Sequence, residues 1–301
     1  IWQNTRYKVQ SAKAYAGNAV ERLQVTERHT FFMKYYLAPM EGLTTYNFRT
    51  NWNRCYGGMD KYFTPFISNR HMNSRERNDV LPEHNVGMYT VPQILTNKAE
   101  EFLSLAEQLA GYGYHEVNLG CPSGTVVARN RGAGFLGTPR ELETFLDEIF
   151  EKCPLKISIK TRIGMECPDE WAPLLKIYQK FPMKELIIHP RLQKEGYKGT
   201  PHLEAFAEAV EALQCPLCYN GDITSPESLT QILTKLPSID TVMIGRGILQ
   251  NPGLLQELKA ASTESVALPS CEERLAILKE FHTSLLTGYQ EIMSGDTNTL
   301  Y

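Results

Sequence analysis

Residues 138–162 read "TPRELETFLDEIFEKCPLKISIKTR", and this stretch contains one whole unit of the fold. Thr138 stands where a helix N-cap belongs, and Pro139 suits the first helical position, where a missing N–H costs nothing. The helical segment runs into "KISIKT", a short β-branched run that reads as a strand. The same grammar recurs on both sides. "KAEEFLSLAEQLAGYG" places apolar residues at helical spacing and stops on glycine. "TSPESLTQILTKL" repeats the helix opening with Thr224 or Ser225 as the cap.

Eight strand candidates punctuate the chain at intervals of roughly 25–40 residues: "YYLAP" near 37, "KYFTPF" near 63, "VPQIL" near 93, "HEVNLG" near 117, "KISIKT" near 159, "ELIIHP" near 187, "PLCYNG" near 218 and "DTVMIGR" near 243. Strands alternating with helices imply a parallel sheet. Eight such units predict a (β/α)8 TIM barrel over residues 33–254. An open doubly wound sheet fits less well, because no GxGxxG follows the first strand. Beyond about residue 250 the strand pattern ends. Leu275, Leu278, Phe281, Leu285, Tyr289 and Ile292 then recur three or four apart, as on an amphipathic helix. Residues 255–301 are therefore expected to form a small, incomplete helical C-terminal domain. Residues 1–32 are polar and weakly periodic, and read as an N-terminal extension. Met33 followed by "KYYLAPMEG" resembles a natural start, and "SGDTNTLY" ends the chain without a helix stop signal, as a fragment would.

The 301 residues are 42% hydrophobic and 22% charged with net charge −3. Nothing global marks a nucleic-acid binder, so a polyanionic partner would need a local basic patch. Seven scattered cysteines, an odd number, point to a reducing, cytoplasmic setting. No membrane span and no signal peptide are expected.

In a TIM barrel the chemistry sits at the C-terminal ends of the strands. The first ends in "APMEG", the third offers Gln93, and the fourth offers Asn118 and Cys121. The fifth gives Lys160 and Arg162, the sixth His189 and Arg191, the seventh Asn220, Gly221 and Asp222, and the eighth Gly245, Arg246 and Gly247. The last two loops supply glycine amides and an arginine, as a phosphate site would use. Lys160, set within an apolar run, requires an anion, whether a ligand or a structural ion-pair partner. From position alone His189 reads equally as a core histidine, and Gln93 as a sheet-capping amide. "CPLC" at 215–218 has no second ligand pair, and residues three apart on a strand face opposite sides, so no metal is expected.

Taken together, "LAPMEGLTTYNFR", "PQIL", "VNLGCPSGTVVARNRGAGFLG", "IKTRIG", "HPRLQKEGYKG", "YNGDI" and "MIGRGILQNP" resemble the tRNA-dihydrouridine synthases, in the family's order. The resemblance implies an FMN-dependent barrel with a helical C-terminal domain. It implies reduction of the uracil C5–C6 double bond of particular uridines in tRNA, with NADPH as reductant, by a monomer. By the same resemblance Cys121 is the general acid. Pro39 and Met40 line the flavin ring, Gln93 and Lys160 meet its polar edge, and His189 lies beside it. The "NGD" and "GRG" loops, through Asn220, Gly221, Asp222, Gly245 and Arg246, hold the phosphate. Asn118 and Arg191 face the target uracil, and Arg162 lies near substrate or flavin. Pro190 stands where the family often has glycine, and "TPHLEAF" replaces the usual aspartate–tryptophan pattern.

The residues suit that chemistry. Hydride arriving at uracil C6 requires a proton at C5, and a thiol with a pKa near ~8.5 still holds one at neutral pH. A nucleophilic Cys121 would instead need an activating base. His115 is roughly 20 Å away along the strand, which leaves His189. The target base must leave the tRNA stack, and Arg70, Arg75 and Arg77, with Arg191, Lys194 and Lys198, are candidate backbone contacts. Two other readings are an FMN barrel acting on a small molecule, like dihydroorotate dehydrogenase, and a catalytically silent RNA-binding remnant.

Overall fold

The computed structural model describes residues 33–68, 70–120, 132–262 and 267–295. Its centre is a closed barrel of parallel strands: β1 (Lys34–Leu37), β2 (Lys61–Ile67), β3 (Thr90–Ile94), β4 (Glu116–Leu119), β5 (Lys156–Arg162), β6 (Leu186–His189), β7 (Leu217–Asn220) and β8 (Thr241–Ile244). Each strand pairs with its neighbour in sequence, and β1 closes on β8 with Leu37 opposite Ile244. Every strand candidate read from the sequence falls on one of these eight. The reason is that each strand is covered on both faces and so reads as a nearly unbroken apolar run.

Alternation along the strands makes two cores. Tyr36, Phe63, Val91, Ile187, Cys218 and Met243 fill the barrel. Leu37, Val117, Ile159, Ile188, Tyr219 and Val242 pack outward with the helices. Those helices are α1 (Tyr46–Cys55), α2 (Ser74–Val80), α3 (Ala99–Gly111), α4 (Pro139–Lys152), α5 (Trp171–Tyr178), α6 (Leu203–Ala212), α7 (Pro226–Lys235), α8 (Arg246–Gln250), α9 (Leu254–Ser262) and α10 (Cys271–Gly295). Ser225 rather than Thr224 caps α7, accepting from the Ser228 amide at 3.2 Å. Thr138 stands at the α4 cap position, but its hydroxyl donates to the Phe135 carbonyl. No helix among the described residues is long and apolar enough to cross a membrane.

The barrel floor is an ion cluster. Lys61 Nζ contacts Glu116 Oε1 at 2.9 Å and Glu185 Oε1 at 2.6 Å. The Tyr36 hydroxyl donates to Glu185 Oε2 at 3.0 Å, and the Tyr89 hydroxyl donates to Glu116 at 3.1 Å. A buried ammonium is tolerable only with such partners. The cluster plugs the N-terminal end and leaves the opposite end to form a site.

α9 buries Leu254, Leu255 and Leu258 in the barrel's outer core. α10 crosses α1, where Phe281 meets the rings of Phe48 and Tyr56 edge-on. Gly288 lets the two helices touch, since a Cβ there would lie 2.1 Å from Asn47 Oδ1. Asn47 Nδ2 donates to the Leu285 carbonyl at 3.1 Å. The apolar face expected on this helix is only half covered: Phe281 is buried, whereas Leu275 and Leu278 are exposed.

Candidate active site

A cavity of about 820 Å³ opens at the C-terminal end of the barrel. The alternation that fills the barrel also aims the strand tips. Val91 faces inward, so Gln93 does too; Ile187 brings His189; Cys218 brings Asn220. All ten residues expected to hold a cofactor line this one cavity: Pro39, Met40, Gln93, Lys160, His189, Asn220, Gly221, Asp222, Gly245 and Arg246. Arg162 lines it as well. Cys121 lies outside the described residues.

The β1 loop is pinned by Thr44, whose Oγ1 accepts from the Met40 amide at 2.8 Å. Gln93 is fixed by a chain of amides and hydroxyls. Its Nε2 donates to Asn118 Oδ1 at 2.9 Å, Asn118 Nδ2 donates to Ser158 Oγ at 3.0 Å, and that hydroxyl reaches the Val117 carbonyl at 3.3 Å. The chain sets the orientation of the Gln93 amide, leaving its carbonyl and second N–H for a ligand. Gly120 is required behind it, because a Cβ there would lie 2.3 Å from Gln93 Cδ.

Across the cavity the seventh and eighth tips form a glycine cradle. Asn220 Nδ2 donates to the Met243 carbonyl at 2.8 Å and ties the two strands together. A Cβ on Gly221 would lie 2.9 Å from the Tyr219 hydroxyl, and one on Gly247 would lie 2.1 Å from the Ile223 carbonyl oxygen. Asp222 follows with φ +40°, unusual for a residue with a side chain. Its carboxylate takes both guanidinium nitrogens of Arg191 and one of Arg246, the latter at 2.6 Å.

The site is electropositive. His189 is buried, and its imidazole is pushed down to about 2 by burial and by the positive charges of Lys160, Arg162, Arg191 and Arg246. It is therefore neutral at any working pH, and a poor base for activating a thiol. Arg162 donates to the Leu192 and Gly196 carbonyls, both at 2.9 Å, and so braces the loop after β6.

Two expected substrate contacts are placed differently. Asn118 and Arg191 are fully buried and do not line the cavity. Asn118 points into the barrel beneath Gln93, with its amide engaged as described. Arg191 has all five of its N–H groups directed at chain neighbours. Neither side chain lines the cavity; each supports a residue that does. The anticipated basic contacts are partly paired. Arg70 meets Glu100 at 2.9 Å and Arg75 meets Glu41, while Lys194 stands 3.8 Å from Glu166.

Tyr197 is the residue that sequence reasoning passed over. It is 61% exposed at the cavity rim, with the Arg246 guanidinium 4.3 Å and the Arg162 guanidinium 5.8 Å from its ring centroid. The His189 ring stacks with the Tyr197 ring at 6.0 Å between centroids and 28°. A signal existed: "EGYKG" sets this tyrosine between glycines at φ +59° and +67°.

Comparison with known proteins agrees with this geometry. The dihydrouridine synthase family model matches residues 36–296. The tRNA-dihydrouridine(16) synthase of Pseudomonas putida is 29% identical over 262 residues, covering 83% of this chain and 80% of that protein. A probable tRNA-dihydrouridine synthase of Staphylococcus aureus is 32% identical over 209 residues, 67% of this chain and 60% of that protein. The tRNA-dihydrouridine synthase B of Pasteurella multocida is 26% identical, covering 86% and 79%. Among solved structures, morphinone reductase in complex with tetrahydroNAD superposes with TM-score 0.52 over 80% of this chain and 90% of that one, at 10% identity, a likeness of fold. The family match spans the barrel, the cavity and α10 alike: the chain belongs to the dihydrouridine synthase family.

Proposed function

We propose that this protein binds FMN in the barrel-mouth cavity and reduces the C5–C6 double bond of specific uridines in tRNA to dihydrouridine, drawing electrons from NADPH. The observation that carries the reading is the gathering of every expected cofactor residue around one cavity.

The residues present fit the cofactor. Gly221, Gly245 and Gly247 make a cradle in which a Cβ would crowd Tyr219, Met40 or Ile223, leaving backbone amides open to a phosphate. Arg246 stands beside it as the countercharge. Gln93 offers an acceptor and a donor together, while Lys160 and His189 offer donors, the set that an imide edge with two carbonyls requires. Pro39 and Met40 give the apolar wall. When bound, FMN supplies the hydride for uracil C6.

The chain's own work is then binding, orientation and proton delivery. Lys160 places positive charge where negative charge collects on reduction. Neutral His189 donates without competing for the proton. Cys121, two residues beyond β4 in the sequence, acts as the acid that protonates uracil C5. Arg77, Lys194 and Lys198 supply contacts to the tRNA backbone, so affinity falls steeply with salt.

The test is incubation with NADPH and unmodified tRNA, followed by nucleoside mass spectrometry. Dihydrouridine should form with the wild-type protein and fall by at least about a hundredfold in Cys121→Ala. Turnover of NADPH with a small-molecule acceptor and none with tRNA would overturn the reading.

A further inference from the structure

A guanidinium can donate hydrogen bonds and cannot accept them. Any nitrogen it points to must therefore be the acceptor. Arg191 is fully buried just past the end of β6. Its Nε donates to the Lys198 carbonyl at 3.1 Å, and its Nη2 donates to the Gly199 carbonyl at 2.5 Å and to Asp222 Oδ2. Its Nη1 donates to Asp222 Oδ1 at 3.1 Å and to His189 Nε2 at 3.2 Å. Four of these bonds hold the guanidinium plane rigid, so the fifth is aimed rather than incidental.

Consequently Nε2 of His189 carries no hydrogen, and the single ring hydrogen resides on Nδ1. No described residue accepts from Nδ1, whereas the ring lines the cavity. The charged groups facing the ring are Lys160, Arg162, Arg191 and Arg246, all cationic, with the Asp222 carboxylate directed at the two arginines rather than at the imidazole. Tyr197 covers the ring with an uncharged face. Among the described residues, nothing around His189 favours a second ring proton.

We infer that Arg191 is a positioning residue that locks His189 in its Nδ1–H tautomer and presents one neutral N–H donor to the cavity. A ligand atom meeting that N–H must be an acceptor. In the reading given above, on which this last step alone rests, it is a carbonyl oxygen or unprotonated ring nitrogen of the flavin. The tautomer itself follows from the chain.

The measurement is long-range proton–nitrogen NMR on protein labelled at the histidine ring nitrogens. The seven histidines are sorted by the loss of one set of signals in His189→Gln. The wild-type protein should show unprotonated Nε2 and protonated Nδ1 at His189, unchanged from about pH 5.5 to about 8.5. Arg191→Met, if folded, should leave the ring in mixed tautomers, still neutral because burial and the charges of Lys160, Arg162 and Arg246 remain, and Arg191→Lys should restore the lock in part. A wild-type ring protonated at Nε2, or titrating within that interval, overturns the inference without recourse to any variant. Addition of FMN is read separately. A moved Nδ1–H signal supports the cofactor reading, and an unmoved signal on a correctly locked ring counts against that reading and leaves the tautomer assignment standing.

Discussion

Gly247 offers the sharpest perturbation of the phosphate cradle. It lies in the first turn of α8, beside Arg246, and a Cβ there would fall 2.1 Å from the Ile223 carbonyl oxygen and 2.7 Å from Leu254 Cδ2. Carbon and carbonyl oxygen ordinarily meet at about 3.3 Å, so Gly247→Ala needs roughly 1.2 Å of movement between two backbone segments. Neither is free to give. Ile223 follows the strand-tip residues that hold Arg191, and Leu254 is buried in the outer core. Overpacking of this kind costs about 1–3 kcal/mol. The cheapest relief is to tilt α8 outward, which carries Arg246 from the cradle. Flavin affinity should then fall roughly 5- to 150-fold, seen by titrating FMN into the flavin-free variant, and the melting temperature should drop. Gly111→Ala is the control. Gly111 closes α3 with nothing within 4 Å of its added Cβ, so that change should leave flavin binding intact and stabilise the protein by up to about 1 kcal/mol. A Gly247→Ala protein that binds FMN like the wild type would show that the cradle does not hold the phosphate, or that α8 yields without Arg246.

Three further outcomes are expected. Gly288→Ala should loosen α10, since Asn47 must retreat from a Cβ 2.1 Å away and abandon the Leu285 carbonyl; hydrogen exchange within α10 should rise while the β-strands keep their protection. His189 has a folded pKa of about 2, below the ordinary ~6.5 of an unfolded histidine. Its neutral burial therefore adds stability above pH ~6.5 that is lost as pH falls through the interval beneath, by about 1.4 kcal/mol per pH unit. Urea melts between about pH 6.5 and 5 should show this slope, flattened in His189→Gln; equal slopes would contradict the buried neutral ring. Lys61→Met strands Glu116 and Glu185 on the barrel floor and should cost about 3–5 kcal/mol, much of it regained when both glutamates are made glutamine.

The barrel was legible because the physics that builds it is local. A strand covered on both faces must be apolar throughout, and a helix start must be capped, so both leave marks within ten residues. Gln93, Lys160 and His189 stood out for a related reason: each is a polar residue within or at the end of an apolar run, on the inward face of a known alternation. What the sequence hid was partnership. Lys61 finds Glu116 and Glu185 from 55 and 124 residues away, and each alone looks like a solvated charge. Asn118 and Arg191 stand at strand tips like their neighbours. Only the closed barrel shows that Asn118 lies one layer down and that Arg191 turns back upon Asp222 and His189. The C-terminal helix was visible from its spacing, but which half of its apolar face meets α1 depends on Gly288 and Asn47, a contact between segments far apart in the chain.

The central claim is that this cavity moves electrons from a reductant to a uridine in tRNA, and anaerobic reoxidation tests it most directly. The purified protein is loaded with FMN, reduced with NADPH, and mixed without oxygen with unmodified tRNA while the visible flavin absorbance is followed. The account predicts prompt return of the oxidised spectrum with tRNA, and a slow return in Cys121→Ala, where the proton for uracil C5 is missing. A flavin that stays reduced in the presence of tRNA, yet reoxidises with a small-molecule acceptor, would contradict it.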